Sequence, residues 1–346
     1  MKEIVNTRSK SVLNKLFVKL CRLLGYELID QNNLYLPVSN KNANEQLSLI
    51  NTKVINLPLG ITYISRKVKS LDIIIKSCTS VNLVTQNKKR IFEREKSEYT
   101  FRTINSLKKN IEFLNEFSFQ IPIKIYIVDH NSKKEDLIKI KDILKNLKIH
   151  TEIINLNTDN FNQIKTINKN NKIIENNMKS TMASIFKSFE IANKYSEDLI
   201  YFVEDDYIHK KETLCEMILT YEKISSQINK ELFICPVDYP YLYNKTEDSK
   251  ILIGNKYHWR TTGESLLTFM TSKKMIQKYF EKFNLMSTIE HNPFETPLHE
   301  IYREELCLSP MPSLAMHCTN VNSIFGLSPN LDWKKIWDEN EIKQGL

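Results

Sequence analysis

The strongest constraint on this chain is an alternation, in which short β-branched apolar runs are separated by segments with helical spacing. Leu71-Asp-Ile-Ile-Ile75 opens the first run, which ends at Ser77-Cys78-Thr79. Ile104, Leu107, Ile111 and Leu114 then recur at helical steps, and Ile121 to Val128 forms a second run closed by Asp129-His-Asn-Ser132. Leu137, Ile140, Ile143 and Leu144 mark another helix, followed by a strand near Thr151 to Leu156. The Asn-rich residues 157–177 read as a loop, after which Met182, Ile185, Phe186 and Phe189 stripe a helix leading into Asp198 to Val203. Strands that are apolar throughout and alternate with helices predict an α/β fold, a mostly parallel sheet flanked by helices. In such sheets ligands gather beyond the carboxyl ends of the strands. Two of these strands end in acids, one at Asp129 and one at Glu204-Asp205-Asp206.

Composition narrows the chemistry. Glycine occurs at positions 25, 60, 254, 263, 326 and 345, too sparsely to write G-x-G-x-x-G or a P-loop. Six dispersed cysteines form no C-x-x-C, which argues against a zinc ribbon or a disulfide framework and for reduced thiols. The net charge of +8 comes from lysines scattered among Asn and Ile rather than gathered in blocks, so no nucleic-acid partner is expected. With no apolar run of about 18 residues and no signal-peptide pattern, the expected location is cytoplasmic.

Three successive carboxylates repel one another unless a cation or hydrogen-bond donors offset the charge. Alternate side chains of an extended segment share a face, so Glu204 and Asp206 are expected to share one ion while Asp205 faces elsewhere. Oxygen ligands of this kind suit Mg²⁺ or Mn²⁺ bridging a diphosphate. The plainer alternative is a turn that opens the helix striped by Leu214, Met217, Ile218 and Tyr221.

From Leu71 to Cys318 the layout resembles the nucleotide-sugar glycosyltransferases of the GT-A (Rossmann-like) fold, particularly family 2. Val128-Asp129-His-Asn-Ser132 looks like that family's V-D-x-x-S, and Phe202-Val-Glu204-Asp205-Asp206 is similar to its D-x-D motif, with Glu in place of the first Asp. Thr261 to Phe269 followed by a helix over Lys273 to Phe283 is similar to the acceptor-side strand and helix. Phe294-Glu295-Thr296 stands where the family has an E-D motif before a helix, here opened by Pro297, with Thr296 in place of the second acid. Leu306 to His317 reads like the closing strand whose histidine completes the metal site.

The resemblance implies transfer of a sugar from a UDP- or GDP-linked donor to a hydroxyl of a glycan or lipid-linked acceptor, with inversion, in cell-surface polysaccharide synthesis. It assigns Thr79, Asp129, Ser132 and Asp205 to the donor nucleotide. Glu204, Asp206 and His317 take the metal, with His209 and His258 in reserve. It makes Glu295 the base, with Glu264 and Glu290 as the other candidates. The basic run Lys88, Lys89, Arg90 and Arg94 reads as a solvated face. Two competing functions remain: a metal-dependent phosphoesterase or nucleotidyltransferase, and a catalytically degenerate GT-A scaffold.

Upstream, Val12, Leu13, Leu16, Phe17, Leu20, Leu23 and Leu24 fall at helical steps among Lys15, Lys19 and Arg22. Residues 11–24 therefore make either a helix packed on the core or on a partner, or a peripheral contact with the inner face of a membrane. The expected organisation is a helical extension with connector over 1–68, carrying a small hairpin, a catalytic domain over 69–320 and a tail over 321–346. The Leu331 to Trp337 segment is expected either to cap the core or to meet a partner.

Overall fold

The computed structural model describes residues 12–26, 53–56, 60–80, 89–116, 120–167, 172–244 and 248–342. Ser11, Lys88 and most of the extension and connector expected over 1–68 lie outside these residues. The chain divides into two compact units, residues 1–67 with 222–230, and residues 68–221 with 231–346.

The first unit holds α1 (Val12–Leu23) and an antiparallel hairpin of β1 (Lys53–Asn56) and β2 (Gly60–Tyr63).

The second unit begins as the alternation demands. β3 (Leu71–Ser77), α2 (Lys96–Glu116), β4 (Ile123–Asp129), α3 (Lys134–Leu144), β5 (His150–Asn155), α4 (Lys172–Tyr195) and β6 (Leu199–Glu204) follow one another. β7 (Tyr207–His209), α5 (Thr213–Ile228, of which residues 222–228 belong to the first unit), β8 (Phe233–Ile234), α6 (Tyr241–Asn244), β9 (Ile251–Ile253) and β10 (His258–Thr261) come next. β11 (Phe269–Ser272), α7 (Lys273–Lys278), α8 (Phe280–Thr288), α9 (Thr296–Glu304), β12 (Cys307–Met311), β13 (Ala315–His317) and α10 (Trp333–Glu339) complete it.

The main sheet has nine strands in the order β5-β4-β3-β6-β11-β8-β12-β10-β9. The pairings make β5, β4, β3, β6, β8, β12 and β9 run one way, while β10 and β11 oppose them. This is the mostly parallel α/β sheet expected. β3 lies between β4 and β6, and its Ile73, Ile74 and Ile75 are buried, as a strand covered on both faces requires.

A core of Phe189, Phe202, Phe269, Phe283, Leu298 and Tyr302 fills the space between the sheet and α4, α8 and α9. On another part of the unit Tyr99, Ile208, Met316 and Trp337 form a smaller cluster. Trp337 of α10 packs edge-on against Tyr99 at 5.2 Å and lies under the Arg102 guanidinium at 4.2 Å. The Leu331 to Trp337 segment is thus a cap on the core.

Four boundaries differ from the sequence expectations. α4 starts at Lys172, inside the expected 157–177 loop, because Ile174 and Met178 extend the stripe of Met182 and Ile185 by helical steps in a segment that composition alone marks as a loop. Residues 262–268 are loop rather than strand, and this loop is tied by Tyr241, whose hydroxyl donates to the Glu264 carbonyl at 2.7 Å and accepts from the Glu264 amide at 3.1 Å. The Lys273 to Phe283 helix is two helices, broken at Tyr279, where φ is −112°. Leu306 to His317 is two strands in different sheets. Pro312 lacks the N–H a ladder needs, and after it β13 pairs with β7 instead.

Candidate active site

The register of β3 sets the site. Lys76 stands opposite Glu204 and Ser77 opposite Asp129, so the ends of three parallel strands bring their polar residues level. Lys76 Nζ donates to Glu204 Oε1 at 3.0 Å. Burial works against the Lys76 charge, but Glu204 beside it, with Asp205 and Asp206, outweighs burial and holds the ammonium pKa above its ordinary value.

Asp205 points toward α2. It is buried, accepts from the Cys78 amide at 3.2 Å and the Thr100 hydroxyl at 2.9 Å, and forms an ion pair with Lys96. Asp206 turns the other way, toward β13, where its Oδ2 lies 3.6 Å from His317 Nε2. Burial would raise the Asp206 carboxyl, yet His317, with help from Lys96 and Thr319, holds it well below the usual carboxylate range. The His317 ring is buried, stacks on Tyr207 at 4.6 Å, and donates from Nδ1 to the Phe325 carbonyl at 2.8 Å in the tautomer that leaves Nε2 toward Asp206. Burial disfavours its charge, but Asp206 and the Phe325 carbonyl raise its pKa above the ordinary histidine value. His209 lies elsewhere, fully enclosed between the Ser106 and Tyr201 hydroxyls, and burial holds it down to about 3.

Thr79, Asp129 and Ser132 do come together. The Thr79 amide donates to Ser132 Oγ at 2.9 Å, the Thr79 hydroxyl accepts from the Lys133 amide at 3.2 Å, and Ser132 bonds Asp129 through both its hydroxyl and its amide. Burial raises the Asp129 carboxyl pKa above its ordinary value, against these bonds from Ser132. The cluster locks the β3 and β4 loops to each other.

Beyond the strand ends lies a cavity of about 260 Å³. Glu204, Asp205 and Asp206 line it together with Lys76, Arg90 and Lys96. Asn177, Ser180, Thr181 and Ser184, one face of α4, form a polar wall. Phe294 and Glu295 close the far side, where Glu295 is the N-cap of α9 but does not cap that helix with its side chain. Of the other candidate bases, Glu290 accepts from the Ile167 amide at 2.6 Å and anchors a loop, and Glu264 does not line the cavity.

The site residues read from the sequence thus fall into three groups. Glu204, Asp205, Asp206 and Glu295 share one chamber; Thr79, Asp129 and Ser132 brace its rim loops; His317 touches it through Asp206. Glu204 is paired with Lys76, and Asp206 with His317. Among the described residues no three His, Cys, Asp or Glu side chains converge as a metal cluster.

The cations are what the sequence reading missed. Arg90 had been assigned to a solvated face, and Lys96 carries no local signal. Lys76 did carry one: a lysine that follows three isoleucines in a doubly covered strand must find an acidic partner.

No family model and no curated protein matches this chain. Among solved structures it is similar to the galactosyltransferase LgtC in complex with donor and acceptor sugar analogs, at 8% identity and a TM-score of 0.32 over 66% of this chain and 70% of that one. It is also similar to a UDP-glucose pyrophosphorylase complexed with UDP-glucose, at 8% identity and a TM-score of 0.37, covering 79% of this chain and 97% of that one. A third is the mannosyltransferase Ktr4p from S. cerevisiae in complex with GDP, at 12% identity and a TM-score of 0.25 over 79% and 60% of the two chains. These structural neighbours are glycosyltransferases and nucleotide-sugar enzymes. What the cavity can do follows from its own side chains.

Proposed function

We propose that this protein transfers a sugar from a nucleoside-diphosphate donor, UDP- or GDP-linked, to an acceptor hydroxyl of a glycan or lipid-linked glycan. The observation that carries this reading is the chamber itself: Lys76, Arg90 and Lys96 line one cavity with Glu204, Asp205, Asp206 and Glu295. A diphosphate leaving group needs positive charge placed where its negative charge grows, inside a site that excludes water. The cations are held ready by the acids. A donor diphosphate would take over the lysines from Glu204 and Asp205.

Asp206 and His317 fit a divalent cation as a pair. One carboxylate oxygen and one imidazole nitrogen lie 3.6 Å apart, and the other ring nitrogen is fixed by a carbonyl, the usual outer-shell support of a metal-binding histidine. Asp206 and His317 would hold Mn²⁺ or Mg²⁺, which would supply positive charge against the diphosphate. Asp205 keeps the β3 loop against α2, and the Asp129 and Ser132 pair keeps that loop shaped for the nucleoside. Glu295 accepts the proton of the acceptor hydroxyl as it attacks, from a position at a helix N-terminus that favours a carboxylate. Attack from this side, opposite the diphosphate, inverts the anomeric carbon.

Thermal melting with UDP, GDP and their sugars, with and without Mn²⁺, tests the proposal. A ligand at about 100 times its Kd should raise Tm by roughly 5–10 °C. A folded protein that responds to none of them would falsify it, and release of nucleoside monophosphate or pyrophosphate instead of nucleoside diphosphate would favour phosphoesterase or nucleotidyltransferase chemistry. Glu295→Gln should keep the donor-induced shift and lower turnover by roughly 100-fold. Near-normal turnover in that variant would move the base elsewhere.

A further inference from the structure

α1 carries an apolar stripe that the described structure leaves uncovered. Leu13, Leu16, Phe17, Leu20, Leu23 and Leu24 are between 54% and 78% exposed, whereas Val18 and Cys21 on the other side of the helix are half-buried. Single exposed leucines are ordinary on a protein surface, but a continuous stripe along three turns is a site of contact. At 3.6 residues per turn, Lys15, Lys19 and Arg22 fall together along one edge of the stripe. α1 contains no acid, and the residues before it contribute Lys2, Arg8 and Lys10 against Glu3.

We infer that α1 lies in the surface of an anionic lipid bilayer, its leucines among the acyl chains and its cations at the phosphates. The charge pattern selects this occupant. A stripe bordered on one side by three exposed cations, with no acid to set a register, matches a surface that is negative everywhere rather than a protein groove with mixed charge. The long stems of Lys15, Lys19 and Arg22 let their heads reach the phosphates while the helix sinks in. Twelve residues are too few to span the bilayer, and no described helix is long and apolar enough to do so, so the contact is with one face. This inference stands apart from the transferase reading, because binding to lipid needs neither donor nor turnover.

Co-sedimentation of the full chain with vesicles tests it. The wild type should bind vesicles of phosphatidylcholine with phosphatidylglycerol, bind phosphatidylcholine alone far less, and be released by salt. The Leu16→Glu/Leu20→Glu variant should lose roughly tenfold or more of its partition coefficient, as should the variant with Lys15, Lys19 and Arg22 each replaced by Glu. Both should melt at the wild-type temperature, since every changed side chain is exposed. Failure of the wild type to bind either vesicle overturns the inference. So does undiminished binding by Leu16→Glu/Leu20→Glu, or a wild-type dimer that this variant turns into a monomer while neither touches lipid.

Discussion

Asp206→Asn is expected to lower turnover by roughly 1000-fold while leaving the fold intact, the range seen when a group placed at developing charge is removed. The change keeps the side-chain volume, and the Asp206 carbonyl still accepts from the Cys318 amide at 2.9 Å, so the backbone bond at the end of the β7 and β13 pair survives. What is lost is the anion opposite His317 Nε2 at 3.6 Å, and with it the carboxylate of the proposed cation pair. Melting curves with Mn²⁺ and nucleoside diphosphate give an independent reading: the variant should show no Mn²⁺-dependent part of the shift. A metal-dependent shift equal to the wild type's would remove Asp206 from the metal, whatever happens to turnover. His317→Gln should reproduce the effect on the shift, because the two side chains act as one unit.

The largest effect on stability is expected at a residue far from the chemistry. Glu216 on α5 is 1% exposed and receives the amides of Asn255, Lys256 and Tyr257, the Trp259 indole N–H at 3.2 Å and the Thr220 hydroxyl at 3.0 Å. One carboxylate therefore holds the turn that leads into β10. Gly254 shows how tight that turn is, since a Cβ there would sit 2.2 Å from the Trp259 indole nitrogen. Glu216→Ala strands the buried Trp259 donor and opens a cavity, a loss of roughly 2–4 kcal/mol. At about 2–4 °C per kcal/mol for a domain of this size, Tm should fall by roughly 5 °C or more. Glu216→Gln should fall between the two, because its amide still accepts but brings an N–H toward the donors already there. An unchanged melting temperature for Glu216→Ala would mean that water replaces the carboxylate at no cost.

Glu216 also shows where sequence reading stops. On a helix striped by Leu214, Met217 and Ile218 it reads as one more surface acid, and nothing local announces that three amides from residues 255–257 fold back onto it. The parallel strands were legible because burial on both faces leaves a continuous apolar run, as in Ile73 to Ile75, and their ends were legible because acids are costly anywhere but at the rim. Splitting of the 306–317 run was half-legible at Pro312. The early start of α4 was hidden by Asn-rich composition, although Ile174 and Met178 already carry the helical pattern.

The sequence by itself determined the alternation of the first strands with their helices and the acids that end two of those strands. Periodicity, turn residues and the burial cost of charge act over a few residues, and those are enough to write β-α-β-α-β and to put Glu204 to Asp206 at a strand end. Only the tertiary structure decided which charge meets which. Lys76 and Glu204 are 128 residues apart in the chain, yet the parallel register of β3 and β6 places them side by side, while Asp206 meets His317 of β13. Partner choice is set by which strand ends lie adjacent, and adjacency in a sheet is fixed by packing over the whole domain, a distance that no local pattern spans.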